Sequence, residues 1–318
     1  MIMSKNLKSG KMIPLILAGI IFISSIATAQ KLNFPEPGTK EFKKYEKKKQ
    51  EMIQSIVKEN GKVWVKVPIS MTNINGNPVS LSEFHIGKFE VTNFEYRVFL
   101  NDLKHTGQME AFRKAAVYDS GWIANGPAGF NVPYKDYYFH HPAFDNYPVV
   151  NIGYEGVMAF CSWLEKEVNK NAKAGSPKIT VRLPYESEWT IAATSGDDKN
   201  EFGFDGNGLK REDKKFAGSY KANFNHFRGS NIESGETDND YADITAPVQS
   251  YFPNRWGLYN ASGNVAELTV SADGNIISKG GSWNHKIDKL KVEEGDRFDR
   301  ESRGNPYTGF RIVFQQKM

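Results

Sequence analysis

Between Asn254 and Trp283 the chain carries Asn260-Ala261-Ser262-Gly263-Asn264-Val265-Ala266-Glu267, a turn rich in Asn, Ser and Gly with a carboxylate seven residues beyond Asn260. Such a turn admits positive φ and points oxygens inward. A hard cation such as Ca²⁺ takes six to eight oxygens, and one Asn amide, backbone carbonyls and one Glu would supply about four of them. The same spacing suits a plain turn between strands, with Asn264 left-handed and Glu267 in solvent, because Asn and Gly are the default turn residues whatever the ligand. Spacing alone leaves both readings open.

Other reactive side chains are sparse. Cys161 is the sole cysteine, so no internal disulfide forms. It falls in the series Val157, Phe160, Cys161, Leu164 and Val168, one face of a helix, which makes it a core thiol rather than a nucleophile. His140 and His141 are adjacent, and neighbours in sequence rarely converge on one ion without a third ligand, so packing or hydrogen bonding is expected of them.

The elements that position these residues are partly legible. A Lys-rich stretch over 41–57 has Phe42, Tyr45, Met52, Ile53 and Ile56 at helical spacing, which predicts a basic amphipathic helix. It would lie on its own domain, on a partner, or peripherally on an anionic membrane surface. Val63 to Val67 alternates as a strand, and Phe84 to Val91 reads as a second. Thr92 and Glu95 form a capping box that starts a helix running to about Leu103. Pro148 to Ile152 reads as a short buried strand, and Val181 to Leu183 as another, with a helix beginning at Pro184. Residues 104–147 follow no period yet carry Phe112, Tyr118, Trp122, Phe130, Tyr134, Tyr137, Tyr138 and Phe139. A long aperiodic stretch this aromatic reads as an ordered, functional insertion, and its rings as a contact surface for a protein partner.

Composition bounds the function class. Twelve lysines against five glutamates up to Lys62 give +7 there, so the remainder of a chain whose total is +4 carries −3. That balance excludes nucleic acid as the partner of the main domain. Lys5, Lys8 and Lys11, an apolar run from Met12 to Ile26, and Ala27-Thr28-Ala29 follow the order of a secretory signal peptide over 1–29. We therefore expect export to the periplasm or cell envelope with Gln30 at the mature terminus. No cysteine stands at the cleavage point, so a lipoprotein is not expected. The chain divides into the leader, a basic helical segment at 30–62 and one domain at 63–318.

Several motifs occur in one order: Phe89-Glu90-Val91-Thr92-Asn93, Arg182-Leu183-Pro184-Tyr185-Glu186-Ser187-Glu188-Trp189, Ala222-Asn223-Phe224-Asn225-His226, Gly263-Asn264-Val265-Ala266-Glu267, Lys279-Gly280-Gly281-Ser282-Trp283 and Gly309-Phe310-Arg311. Together they resemble the formylglycine-generating enzyme, or sulfatase-modifying factor, family, and within it the branch of gliding-motility and type IX secretion proteins of Bacteroidota. The resemblance implies an α+β fold related to C-type lectins, with little regular secondary structure. It also implies calcium at Asn260 and Glu267 by side chain and at Gly263 and Val265 by backbone carbonyl, and a second ion at Asn223, Phe224 and Asp240.

Catalytic members of that family hold copper with two cysteines shortly after the Gly-Gly-Ser turn. His285 and Leu290 stand at the corresponding positions, and side chains of that kind make no soft Cu(I) site. The resemblance thus implies a non-catalytic, exported scaffold or accessory protein of the gliding or secretion machinery, recognised by protein partners at the envelope. The alternative is an exported metal-dependent oxidoreductase in which His285 and a carboxylate such as Asp296 replace the cysteine pair.

Overall fold

A computed structural model describes residues 34–74, 76–124, 132–170, 172, 175–206, 208–225 and 244–317, so the leader, His226 and Asp240 lie outside the described residues. The basic stretch forms helix α1 (Lys40–Val57), capped by Thr39, whose hydroxyl accepts from the Phe42 amide at 3.1 Å. Strands β1 (Trp64–Val67), β2 (Ser70–Ile74), β3 (Asn77–Leu81) and β4 (Phe84–Gly87) follow. Helix α2 (Asn93–His105) begins at the expected capping box, with Thr92 accepting from the Glu95 amide and Glu95 from the Thr92 amide.

Residues 125–131, with Phe130, lie outside the described residues, and the described residues of 104–147 are not the aperiodic loop that their sequence suggests. They fold into α3 (Met109–Lys114), α4 (Gly121–Ala124), α5 (Val132–Tyr137) and a 3₁₀ turn at Pro142–Phe144. Helices of four to six residues are too short to print a 3.6-residue period, which is why the pattern was invisible. The expected strand at 148–152 is not formed as a ladder: Val149, Val150 and Ile152 are buried, and the backbone is held by a Thr92–Pro148 bridge and by single hydrogen bonds from Val149 to the Val91 carbonyl and from Asn151 to the Asn305 carbonyl.

Helix α6 (Tyr154–Lys170) carries the apolar stripe with Cys161, and β5 (Ile179–Arg182) leads through Pro184 into α7 (Glu186–Ala193), which starts two residues later than the proline suggests. The C-terminal half supplies β6 (Ala266–Val270), β7 (Ile276–Lys279), a 3₁₀ turn at Ile287–Leu290, β8 (Gly295–Arg297), β9 (Thr308–Gly309) and β10 (Val313–Gln316).

Two four-stranded sheets carry the architecture: an antiparallel one in the order β1-β4-β10-β5, and one in the order β8-β7-β6-β9 with β6 and β9 parallel. The β2–β3 hairpin stands apart. Because β9 belongs to one sheet and β10 to the other, the short link between them, Phe310 to Ile312, runs from sheet to sheet. Among the described residues no helix is long and apolar enough to cross a membrane.

Three lysines of α1 are directed at the domain, while Lys40, Lys43 and Lys47 are exposed. Lys44 meets Asp145 at 3.2 Å, Lys48 meets Glu95 at 3.1 Å, and Lys49 bridges Asp102 at 2.7 Å and Glu167 at 2.9 Å. On its apolar face Tyr45, Met52, Ile53 and Ile56 join the same buried cluster as Phe99, Phe160, Leu164 and Phe314. The helix is thus packed on the body through its apolar face and the three lysines that flank it. Burial works against ionisation of Glu95, yet Lys48 and the Thr92 amide hold its carboxyl below the ordinary range. Thr92→Ala removes the cap acceptor and should cost about 1 kcal/mol in urea unfolding, with the helix register kept.

Candidate functional site

Glu267 lies on β6 at the seam between the sheets and is 1% exposed. Its Oε2 accepts from the Trp189 indole nitrogen at 2.7 Å and from Arg311 Nε, while Arg311 Nη2 donates to Oε1. Arg311 is 0% exposed and also donates to the carbonyls of Gly87 at 2.9 Å, Lys88 at 3.1 Å and Tyr259 at 2.8 Å. One guanidinium therefore ties β4, β6 and the Tyr259 loop together in the fork geometry that only arginine offers. Glu267 is not the solvated residue of a plain turn. A carboxylate offers about four acceptor sites, and three are in use here.

A second buried acid sits beside this pair. Glu90, 1% exposed, accepts from Asn264 Nδ2 at 2.8 Å through Oε1 and from Asn260 Nδ2 at 3.2 Å through Oε2. Burial raises its pKa to about 7, with Arg311 opposing that rise and Glu267 adding to it. Two acids thus share one arginine, and with both ionised the pocket holds one uncompensated negative charge.

The turn itself is built by left-handed backbone. Asn260 and Asn264 have φ of 53° and 63°, and Gly263 has φ 83°. A Cβ on Gly263 would strike the Asn223 carbonyl, so the glycine admits the close approach through which the Asn264 amide donates to that carbonyl at 2.8 Å. Asn264 also accepts from the Ala246 amide at 2.7 Å and donates to the Ala246 carbonyl at 3.2 Å. Of the residues expected in the two oxygen sets, Asn223, Phe224, Asn260, Gly263, Val265 and Glu267 are buried, the Asn223 carbonyl meets the Asn264 amide of the turn, and Asp240 lies outside the described residues.

Among the described residues, the Oδ1 atoms of Asn260 and Asn223 are buried without a hydrogen-bond donor. Their Nδ2 atoms are fully engaged, Asn260 with Glu90 and Val248, Asn223 with the Ile244 carbonyl at 2.7 Å. Orphaned acceptors are costly in an apolar interior, and these two belong to two of the side chains expected as hard-cation ligands. An all-oxygen set with a net negative charge beside it fits Ca²⁺ and fits no soft metal.

Beyond β7 the Gly280-Gly281 turn, with φ of 81° and 65°, leads to Ser282 and Trp283. His285 Nδ1 lies 3.1 Å from Ser282 Oγ and its ring meets Tyr307 edge-on at 5.6 Å. Burial pushes its pKa down, so the imidazole is neutral at pH 7. Leu290 is 0% exposed and belongs to a cluster with Phe202, Phe204, Ala222 and Phe224. Asp296, the other candidate ligand, is taken by Lys289 at 2.7 Å. Among the described residues no group of three or more His, Cys, Asp or Glu side chains converges on a common point. Cys161 is buried, and its thiol is pushed up to about 12 by burial.

The aromatic insertion closes over this region. Trp122, 1% exposed, stacks on Trp283 at 6.2 Å and packs against Tyr134 at 5.3 Å and Tyr138 at 4.8 Å. Most of its rings are core, contrary to the expectation of a contact surface. Tyr137 and Ile123 remain exposed. Of the adjacent histidines, His140 pairs with Asp119 at 2.9 Å and His141 accepts from the Ala143 amide at 3.1 Å, the hydrogen-bonding roles expected of them.

Residue-by-residue reasoning missed Glu90, Trp189 and Arg311 as site members. A signal was present: Phe89-Glu90-Val91 and Phe310-Arg311-Ile312 each set a lone charge between apolar residues, a pattern that a buried ion pair produces and a solvated face does not.

Comparison with known proteins bears on the family. The family model for the sulfatase-modifying factor enzyme 1-like domain matches residues 41–316. Formylglycine-generating enzyme of Mus musculus is 25% identical over 209 residues, covering 60% of this chain and 50% of that protein. The inactive C-alpha-formylglycine-generating enzyme 2 of Bos taurus is 25% identical over 228 residues, covering 64% of this chain and 67% of its own length. Against the first of these relatives the chain spans about half the length. Among solved structures, CarF aligns with a TM-score of 0.47 at 18% identity, over 80% of this chain and 97% of that one.

Proposed function

We propose, from the premise that this chain belongs to the sulfatase-modifying factor enzyme 1-like family, that it is an exported, non-catalytic, calcium-stabilised scaffold of the gliding or type IX secretion machinery. One observation carries the non-catalytic reading. Past the Gly-Gly-Ser turn stand a neutral histidine bonded to Ser282 and a leucine sealed in the core, while the sole thiol is buried in α6 with its pKa pushed up to about 12. Copper-dependent oxidation of a cysteine substrate needs thiolates at that turn, and none is available there. That a relative carries the word inactive in its name supports the view that the family fold persists without that chemistry.

Calcium supplies the missing positive charge in this reading. Asn260 by Oδ1, Gly263 and Val265 by backbone carbonyl and Glu267 by its one remaining acceptor site hold one ion, and Asn223 with Phe224 holds the second. Binding only to the folded state adds about 2.7 kcal/mol at a hundredfold excess over Kd. Chelation should therefore lower the melting temperature, and readdition of calcium should restore it. Asn260→Ala should shrink that response. Glu267→Ala is a poor test, because it strands Arg311 whether or not calcium binds. A melting curve indifferent to chelator would remove calcium from the account.

The partner-recognition surface shrinks to the exposed part of the insertion, where Tyr137 is 56% exposed and Ile123 is 42% exposed. Tyr137→Ala should weaken capture of an envelope protein and leave melting unchanged. Equal capture by the variant would place recognition elsewhere.

A further inference from the structure

Asn260 and Asn264 turn their Nδ2 groups toward one buried carboxylate. Glu90 Oε2 accepts from Asn260 at 3.2 Å and Oε1 accepts from Asn264 at 2.8 Å. A side-chain amide has one accepting end and one donating end, so whatever fixes Nδ2 also fixes where Oδ1 points. The Val248 carbonyl accepts from Asn260 Nδ2 as well, at 3.1 Å, so Oδ1 faces away from both acceptors. That oxygen is the one buried without a donor among the described residues.

Asn264 cannot adjust in return. Its Oδ1 accepts from the Ala246 amide at 2.7 Å and its Nδ2 donates to the Ala246 carbonyl at 3.2 Å, so backbone sets both of its ends. The side chain at position 90 must therefore present an acceptor to Asn264. A carboxylate has a second acceptor left for Asn260, and a glutamine does not. With its oxygen on Asn264, a glutamine would aim Nε2 at Asn260 Nδ2, donor against donor. Asn260 would then turn over or be pushed aside, and in either case its Oδ1 would leave its present place.

We propose that Glu90 is a positioning residue for calcium: it holds Asn260 so that Oδ1, and not Nδ2, faces the ion. The proposal rests on the calcium reading above and deepens it, by giving a role to an acid that is not among the ligands of that reading. Glu90 acts through Asn260. Groups that orient a metal ligand from outside the coordination sphere are typically worth about 10–100-fold in metal affinity.

The test is the calcium affinity of the full chain, read by competition with a chromophoric chelator at pH 8, above the value of about 7 to which burial raises Glu90. The binding step lost in Asn260→Ala identifies the ion at that residue. Glu90→Gln should weaken the same step by roughly 10–100-fold. Its fold is kept, because glutamine matches glutamate in size and removes a buried charge, and a cooperative melt in chelator checks this. Glu90→Asp retains both acceptors one methylene further back and should lose less. Added to Asn260→Ala, Glu90→Gln should change almost nothing, because the side chain it orients is gone. Calcium held by Glu90→Gln as tightly as by the parent overturns the proposal and leaves the calcium reading standing. A full additional loss in the double variant also overturns it, since Glu90 would then act by its charge alone, as does a Glu90→Asp weaker than Glu90→Gln. A parent chain that binds no calcium overturns the proposal and the calcium reading together.

Discussion

Arg311→Met should destabilise the protein by about 3–5 kcal/mol, the cost of stripping one partner from a buried ion pair. The guanidinium satisfies both oxygens of Glu267 and three carbonyls from two other segments, all away from solvent. Methionine keeps most of the apolar stem while removing the charged fork, so the larger part of the loss is electrostatic. Two buried acids then remain with no counter-charge, and one of them, Glu90, already has its pKa raised to about 7. Urea unfolding at pH 7 measures the change. Adding Glu267→Gln to Arg311→Met should recover part of the loss, because the second substitution removes the stranded charge. A variant within about 0.5 kcal/mol of the parent, the range of ordinary surface changes, would mean that Arg311 does not organise the seam.

Trp122→Ala carries a comparable expected loss of about 3–5 kcal/mol, from a large ring removed out of a packed cluster. Trp122 touches Tyr134, Tyr138 and Trp283, so it joins the insertion to the turn after β7. The hole has no ready filler, because Tyr138 is itself fixed, its hydroxyl donating to the Pro148 carbonyl at 2.7 Å. Tyr137→Ala in the neighbouring helix should stay within about 0.5 kcal/mol. Equal losses at both positions would place the insertion outside the core.

The sequence showed elements long enough to repeat their pattern. Helix α1, the capping box of α2 and the Cys161 stripe of α6 stand where periodicity and capping chemistry put them. Helices α3, α4 and α5 did not show, because four to six residues make too few turns to reveal a face. The aromatic residues of the insertion suggested an interface for the same reason: without a visible element to hold them, large rings look unpartnered. At the site, Asn260, Asn223 and Glu267 were legible as oxygen donors, but their surroundings were not. Arg311 lies 44 residues from Glu267, and Glu90 lies 170 from Asn260. No local pattern encodes contacts over such separations; only the lone charges within apolar runs hinted at them. The basic face of α1 was legible as charge but not as a docking surface, since Asp102, Asp145 and Glu167 come from three different segments.

We propose that this family fold is kept here without the family's redox chemistry and is held by a hard cation. Elemental analysis of protein purified from its native compartment, without added metal and without chelator, tests it most directly. The expected result is calcium at one to two ions per chain with copper and iron at background. Stoichiometric copper or iron, with calcium at background, would contradict it and would make the chain a metal-dependent oxidoreductase with a remodelled site.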